Sequence, residues 1–530
     1  MWQILNRLKK GNQPKKLTVF THKRKIYLLI RFKKETRLAI STDGLNFKKG
    51  KISPKILDCL SKNKKRKSLE QHIYQSSLAP GSERLHQSDL TVERAIKNKE
   101  GVLVFYHHRK QTTVEVGALM VDTANSGKVI WRHNQPIWKS PDEWKDKNLA
   151  FVDLIKTKKR YLAYWWLKGE GLFAITYPKY RINNQIKIKQ NHHLHKITDN
   201  PIISPNTENS WEAFTTFNPA AIYQANKVHL LYRAQGFDYV SVLGYANSHN
   251  GTHIDQQESK PAYIPTDAFE KKKPGQAVNP KYKRSGGSHE GCEDPRITKI
   301  GNRIYMTYVA FNGWNPPRIA LTSIKLTDFL AKRWLWEKPI LISPPNIVDK
   351  SACILPEKIN GKYVIFHRVF PNILIDFVDS LEFKQGEYLK GQYKIEPRGP
   401  IWWDSRKIGV GAPPLKTKDG WLLIYQAVDD KDASHYLVGA MLLDLNDPTK
   451  VLHRSPYPII EPDQWYDNQG FKAGVVYPCG AVIIDNQLFV YYGGADSYVC
   501  VATTSLNQFL DKLKKDQPSQ LEYTYLGQNK

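Results

Sequence analysis

Cysteine is scarce in this 530-residue chain: Cys59, Cys292, Cys353, Cys479 and Cys500, an odd number at wide and irregular spacing. No pair has zinc-ligand spacing, and a scattered odd set is not a disulfide framework. Long apolar runs are also missing. None reaches the length that spans a bilayer, and Met1–Lys10 lacks the apolar core of a signal peptide, so a cytoplasmic chain without a membrane span is expected. Acidic residues are outnumbered, 50 Asp and Glu against 79 Lys and Arg, for a formal net charge of +29. That surplus suits a nucleic-acid partner, an anionic surface or a phosphate-using enzyme. The lysines are scattered, however, and no RNP, zinc-finger or helix-turn-helix signature accompanies them. Nucleic acid is therefore not the expected partner, and solvated surface charge is the simpler source.

What the chain has in quantity is aromatic side chains, 12 % of residues, with 14 Trp and 28 Tyr. Five apolar runs read as short strands ending in an aromatic: Val228–Ala234, Arg303–Ala310, Lys362–Arg368, Trp421–Gln426 and Leu488–Gly493. Each follows a turn pair: Ala225-Asn226, Gly301-Asn302, Asn360-Gly361, Asp419-Gly420 or Asp485-Asn486. Counted through Tyr232, Tyr308, Phe366, Tyr425 and Tyr492, the steps are 76, 58, 59 and 67 residues. Short strands repeating at that period signal a radial β architecture with five blades, an ordinary β-sandwich being the competing arrangement. The expected fold is all-β: a five-bladed β-propeller over residues 196–530 with an additional N-terminal blade-like β domain, residues 1–195.

The N-terminal part repeats the same strand type at Lys25–Ile30, Val102–Tyr106 and Arg160–Trp165. Lys97–His107 lines up with Lys416–Gln426, Val116–Asp122 with Val438–Asp444, and Pro141–Trp144 with Pro462–Trp465. It reads as about three blade-like units, an accessory domain that is structural or carbohydrate-binding. Ser53–Gln75 has the spacing of a short amphipathic helix, and Ser76–Ser88 reads as loop. Pro265–Gly287 is too polar for a core strand and reads as a solvated insertion or a basic lid. Ser505–Lys530 begins as a short helix and becomes polar.

The most concentrated chemistry lies in Ser288–Leu321. Glu293, Asp294, Pro295 and Arg296 form an acidic loop that opens onto a hairpin: a strand from Arg303, a turn over Asn312–Pro317 and a strand from Arg318. Taken alone, this motif is an Asp-Pro turn with a surface ion pair. It is not alone. Phe217–Ala221, Leu231–Ala234, Gly244–Ala246, Gly291–Arg296, Pro317-Arg318, Pro356–Ile359, His367-Arg368, Lys407–Pro414, Leu422–Tyr425, Pro478–Gly480 and Tyr491–Asp496 follow one another in the order of a known family. Residues from about 200 to 510 resemble glycoside hydrolase family 130. Its members are five-bladed propellers that include β-mannoside phosphorylases and β-1,2-mannosidases.

Cleaving a glycosidic bond needs an acid for the departing oxygen and a nucleophile for the anomeric carbon. If phosphate is the nucleophile, one carboxylic acid suffices, but cations must hold the phosphate. The resemblance makes Asp294 the acid, its proton reaching the glycosidic oxygen directly or through a sugar hydroxyl. It places Glu293 and Arg296 beside the substrate, fixing the motif, and gives the sugar contacts to Asn218, Arg233 and Asp496. Lys350, Arg368 and Lys407 match the phosphate-binding positions, and Gln426 and Tyr436 complete that pocket. Inorganic phosphate would be the co-substrate, with no cofactor and no metal. The chain departs from the family at Gln426, where phosphorylases usually carry histidine, and at Lys350, where many relatives carry arginine. The hydrolase branch puts glutamates at the phosphate positions, and none stands at 350, 368, 407 or 426. An inverting β-mannoside phosphorylase releasing α-mannose 1-phosphate is the expected activity. The alternatives are an inverting β-mannosidase using Asp404 or Asp429 as base, a mannosyltransferase, and a non-catalytic glycan-binding propeller. Homo-oligomerisation is left open.

Overall fold

Side chains alternate between the two faces of a strand, so a run that is apolar throughout must be covered on both. The five repeated runs are such strands. In the computed structural model each is the second strand of an antiparallel group. The structure describes residues 194–283, 287–515 and 523–525, together with 14–53, 67 and 90–178 less short breaks at 23–24, 34, 44, 46, 98–100, 111–112, 122–128, 134–135, 145–146 and 158–159. Cys59 and nearly all of the expected helix and loop over Ser53–Ser88 lie outside the described residues.

The chain divides into two compact units, one of Met1–Asn191, Gly399–Trp402 and Gln517–Lys530, the other of His192–Arg398 and Trp403–Asp516. The second unit carries five strand groups. The first group is Thr215–Gln224, Lys227–Gln235, Val240–Ser248 and Gln256–Gln257; the second is Glu290–Ile300, Arg303–Phe311, Arg318–Lys325 and Ile340–Leu341. Two parallel pairs, Val240 with Glu290 and Ser241 with Gly291, join these groups into one eight-stranded sheet. The third is Asp349–Ile354, Tyr363–Val369, Asn372–Val378 and Tyr393–Ile395. In the fourth, Lys407–Val410 and Leu415–Thr417 both pair with Gly420–Asp429, followed by Asp432–Leu443 and Val451–Arg454. The fifth is Val476–Ile484, Gln487–Gly494 and Tyr498–Ser505, and its outer strand is His195–Lys196 from the start of the unit.

Each core of the second unit is shared by two groups. Leu231 and Tyr308 share one, Ile319 and Ile365 the next, Phe366 and Leu423 the third, Ile424 and Leu488 the fourth. A fifth core joins Tyr491 of the last group to Tyr232 of the first. Alternation explains it: Leu423 and Tyr425 face the third group, while Leu422 and Ile424 face the fifth. Each fully buried Leu or Ile in these layers contributes roughly 1.5–3 kcal/mol.

A second repeat element lies across the strands. Tyr232 stands opposite Gly244, Tyr425 opposite Gly439 and, in the first unit, Tyr106 opposite Gly117. Each ring lies flat over its glycine, where an added Cβ would fall 2.3–2.6 Å from ring atoms, so these positions exclude a side chain. The first unit consists of three antiparallel sheets led by Lys16–His22, Leu90–Lys97 and Leu149–Lys156, with cores that pair the third sheet with each of the others.

Two segments differ from the sequence reading. Within Pro265–Gly287, Glu270 is fully buried and accepts hydrogen bonds from the Tyr263 and Tyr308 hydroxyls and from the backbone N–H of Thr266 and Asp267. The insertion is stapled to the core there rather than solvated throughout, because a buried carboxylate holds four donors. In the tail, Leu506–Lys515 is the expected helix, but Tyr523–Tyr525 then pairs with Gly171–Pro178 as a strand. Among the described residues no helix is long and apolar enough to cross a membrane.

Candidate active site

The site is built on interruptions of the first strands. Pairing skips between Phe217 and Ala220, between Glu293 and Arg296, and between Lys350 and Cys353. Inside these bulges Asn218, Asp294 and Ser351 take φ values of +49°, +51° and +55°. A bulge re-aims a side chain out of the pleat, and Asn and Asp tolerate the left-handed region far better than most residues. The Glu-Asp-Pro-Arg motif is thus not a loop ahead of the hairpin but a kink inside the Glu290–Ile300 strand.

Asn218 Nδ2 donates to Asp294 Oδ1 at 2.8 Å, and Arg233 Nη1 donates to the same oxygen at 3.1 Å. Arg233 Nη2 reaches Glu293 Oε1 at 3.2 Å, and its Nε donates to Ser241 Oγ at 2.9 Å. Glu293 also takes Lys350 Nζ at 3.0 Å and the Ser288 hydroxyl. Arg296 spends its donors on backbone: Nε on Gly411 O at 3.0 Å, Nη1 on Asp294 O at 2.8 Å, Nη2 on Val410 O at 3.2 Å. Glu293 and Arg296 are as deeply buried as Arg233, and these three hydrogen bonds of Arg296 all go to backbone carbonyls, which ties it to the motif itself. Burial by itself would raise the Asp294 carboxyl, but Arg233, Arg296 and Lys350 outweigh it and hold the group below the usual range. Asp496 goes the other way. Burial dominates there, Lys472 and Arg233 only partly oppose it, and the carboxyl is pushed up to about 6.

A second cluster lies on the third to fifth groups. Lys350 and Arg368 are directly opposite each other across paired strands. A Cβ placed on Gly409 would meet both Gln426 Nε2 at 2.4 Å and Arg368 Cδ at 2.8 Å, which fixes those two side chains side by side. Gln426 Nε2 donates to Ser351 Oγ at 3.1 Å and to Tyr477 Oη at 3.0 Å, while its buried Oε1 has no partner. Lys407 donates to the Tyr436 hydroxyl, and Lys472 Nζ lies 4.7 Å from the centre of the same ring. Burial, helped by Arg368 and Lys472, brings the Lys407 ammonium down to about 8. Burial opposes ionisation of Tyr436, yet Lys407, Lys472 and Arg368 prevail and bring its phenol down to about 8. Behind Arg368, His367 is clamped between Asp349 and Asp376.

The expected residues therefore fall into two neighbouring sets: Asn218, Arg233, Glu293, Asp294, Arg296, Lys350 and Asp496 around the carboxylates, and Arg368, Lys407, Gln426 and Tyr436 around the phenol. Lys472, Ser351 and Tyr477 went unnoticed in the sequence; only Tyr477 had a signal, its place beside Pro478. The two candidate hydrolytic bases are engaged elsewhere. Asp404 is enclosed by Arg398 at 2.7 Å, Arg454 at 2.5 Å and the Tyr425 hydroxyl at 2.8 Å. Asp429 holds Ser405 at 2.9 Å and Lys431 at 3.4 Å. Among the described residues no group of three or more His, Cys, Asp or Glu is arranged to hold a metal.

Comparison with known proteins bears on the same stretch. A family model, glycoside hydrolase family 130, described as beta-1,4-mannooligosaccharide phosphorylase, matches residues 179–515. The chain is 39 % identical over 323 residues to a 1,2-beta-oligomannan phosphorylase of Thermoanaerobacter sp. (strain X514), covering 58 % of this chain and 96 % of that protein. A beta-1,2-mannobiose phosphorylase of the same organism is 38 % identical over 327 residues, covering 58 % and 96 %. Among solved structures, the beta-1,2-mannobiose phosphorylase of Listeria innocua matches with a TM-score of 0.48 at 24 % identity, over 61 % of this chain and 99 % of that one.

Proposed function

The chain belongs to glycoside hydrolase family 130, and on that premise we propose that it is an inverting phosphorylase of β-mannosides. The observation that carries the reading is the cationic pocket. Arg368, Lys407 and Lys472 gather about Tyr436, and none of the three forms an ion pair among the described residues. Cations drawn together and partly buried without counter-charge call for an anionic ligand. Inorganic phosphate supplies both that charge and the nucleophile. The unpartnered Gln426 Oε1 fits the same reading: turning the amide over keeps the Ser351 and Tyr477 hydroxyls bonded and presents its NH2 to an anion.

Asn218, whose buried Oδ1 is open to a donor, would hold the mannose together with Arg233 and Asp496. Without ligands the surrounding cations keep Asp294 ionised. Phosphate beside Lys350, Arg368 and Lys407 offsets part of that field, so Asp294 takes up its proton as the substrates bind. A phosphate oxygen attacks the anomeric carbon opposite the leaving group, the bond to the aglycone oxygen breaks, and Asp294 protonates that oxygen directly or through a sugar hydroxyl. The proton released as hydrogenphosphate becomes an ester restores Asp294. A β-mannoside thus gives α-mannose 1-phosphate by one inversion.

This reading takes residues 196–530 as a five-bladed β-propeller and residues 1–195 as an accessory β domain. The cyclic order of the shared cores supports the ring, and His195–Lys196 belongs with it as the strand that closes the last blade. The two Thermoanaerobacter relatives are named for β-1,2 linkages, which makes β-1,2-mannooligosaccharides the first substrates to test. Phosphorus NMR of the mixture should show α-mannose 1-phosphate only when phosphate and oligosaccharide are both present. Free mannose as the main product in saturating phosphate would overturn the assignment.

A further inference from the structure

Most of the exposed large apolar side chains of the second unit stand singly, which is ordinary. One group does not. Phe214 is the hub of a ring cluster, with centroid distances of 5.7 Å to Phe237, 5.1 Å to Tyr239 and 5.5 Å to Phe471, and Tyr239 lies 4.8 Å from His289. Phe237 is 69 % exposed and Phe471 45 %. Contiguous exposed rings mark a binding surface more often than a lone exposed ring does.

The cluster is continuous with the carboxylate end of the site. The N–H of Phe471 donates to Ser497 Oγ at 2.7 Å, one residue past Asp496. The N–H of His289 donates to Tyr239 O at 2.8 Å, and the preceding Ser288 holds Glu293. Tyr239 leads into Ser241, the acceptor of Arg233 Nε. Three separate segments thus each tie a ring to the site: Tyr239 lies two residues before Ser241, His289 follows Ser288, and Phe471 binds the chain neighbour of Asp496. The cluster is also braced. Gly287, at φ +79°, passes so close to Phe471 that an added Cβ would fall 2.5 Å from its Cε1.

We infer that Phe214, Phe237, Tyr239, His289 and Phe471 form a platform that binds the sugars of an oligosaccharide beyond the two residues joined by the bond that is broken. The inference rests on reading the site as a mannoside site. A β-mannopyranoside presents the axial C–H bonds at C1, C3 and C5 on one face, and that apolar face packs on aromatic rings. Its hydroxyls point away, toward water or the polar edge that His289 supplies. Phe237 and Phe471 are the accessible rings, and Phe214 beneath them keeps their spacing.

The test is chain-length dependence of binding. Titration calorimetry without phosphate measures β-1,2-mannobiose and a β-1,2-linked mannotetraose against the wild type, Phe471→Ala and Phe237→Ala. Both rings are exposed, so neither truncation opens a buried cavity. Each variant should bind the tetrasaccharide about tenfold more weakly and the disaccharide as the wild type does. With phosphate present, the KM for phosphate should not move. Equal losses for both lengths, no loss for either, or a wild type that binds no mannooligosaccharide would overturn the platform. Failure of the phosphorylase reading would read out separately, as wild-type binding without phosphate-dependent turnover.

Discussion

Lys472 Nζ lies 4.7 Å from the centre of the Tyr436 ring, and Lys407 Nζ lies 4.4 Å from that same centre. One phenol therefore gathers two ammonium groups, from strands and loops 65 residues apart, as 472 less 407. Lys472 also sits near Asp496, where it is the strongest charge opposing the rise of that carboxyl. It joins the sugar side to the anion side. Lys472→Met should raise the KM for phosphate about fivefold, in the range of a partly solvated charged hydrogen bond. The KM for the oligosaccharide should shift far less. Equal changes in both constants would make Lys472 a general support.

Asp294→Asn tests the acid. Asparagine is nearly isosteric, its Oδ1 can still accept from Arg233 and Asn218, and it tolerates the φ of +51° that Asp294 adopts. Folding should survive, while turnover falls roughly 100- to 10,000-fold, the usual worth of a general acid. Thermal unfolding of the variant beside its rate separates the two effects. Near-normal turnover would remove Asp294 from the proton path.

How much of this was legible beforehand follows from what each residue's neighbours are. The second strands could be read because Leu422, Leu423, Ile424 and Tyr425 need cover on both faces, a demand written into four consecutive letters. Asp294 and Asn218 could be picked out by resemblance, but not their setting, since Asp-Pro and Asn-Pro fit a turn and a bulge equally well. Ser351 and Tyr477 were invisible. Their hydroxyls meet 2.9 Å apart across 126 positions of sequence, and no local pattern announces such a meeting. Lys350 matches a phosphate position by resemblance, but no local pattern announces its bond to Glu293, 57 positions away.

The pH dependence should have two limbs of separate origin. Asp496, at about 6, must be ionised to accept hydroxyl protons from the sugar, so kcat/KM for the oligosaccharide should fall as pH drops below about 6. Lys407 and Tyr436, both at about 8, hold phosphate only while the pair keeps its protons, so phosphate affinity should fall above about 8. Asp496→Asn should abolish the acid limb and leave the alkaline one. Lys407→Arg combined with Tyr436→Phe should carry the alkaline limb upward, because neither replacement loses a proton in that range. Limbs that stay put in both variants would assign them to other groups.

The last prediction concerns the base on which Arg368 stands. His367 Nδ1 lies 2.7 Å from Asp349 Oδ2 and its Nε2 lies 2.9 Å from Asp376 Oδ2. Burial disfavours the charged ring, but the two carboxylates prevail and raise it to about 9. A histidine raised on folding stabilises the native state in full below its unfolded value of about 6.5, and that contribution fades as pH climbs through about 9. The rise is worth up to roughly 3 kcal/mol at 1.36 kcal/mol per unit. Denaturant unfolding of the wild type should therefore lose stability between pH 7 and about 9.5. His367→Gln, which carries no titrating proton, should begin lower, because it leaves two buried carboxylates without their cation. Its curve should then run flatter across the same window, and the gap between the two proteins should narrow as pH rises. Parallel curves would mean that the imidazole is neutral between its two aspartates and that the strand bearing Arg368 is held by packing alone.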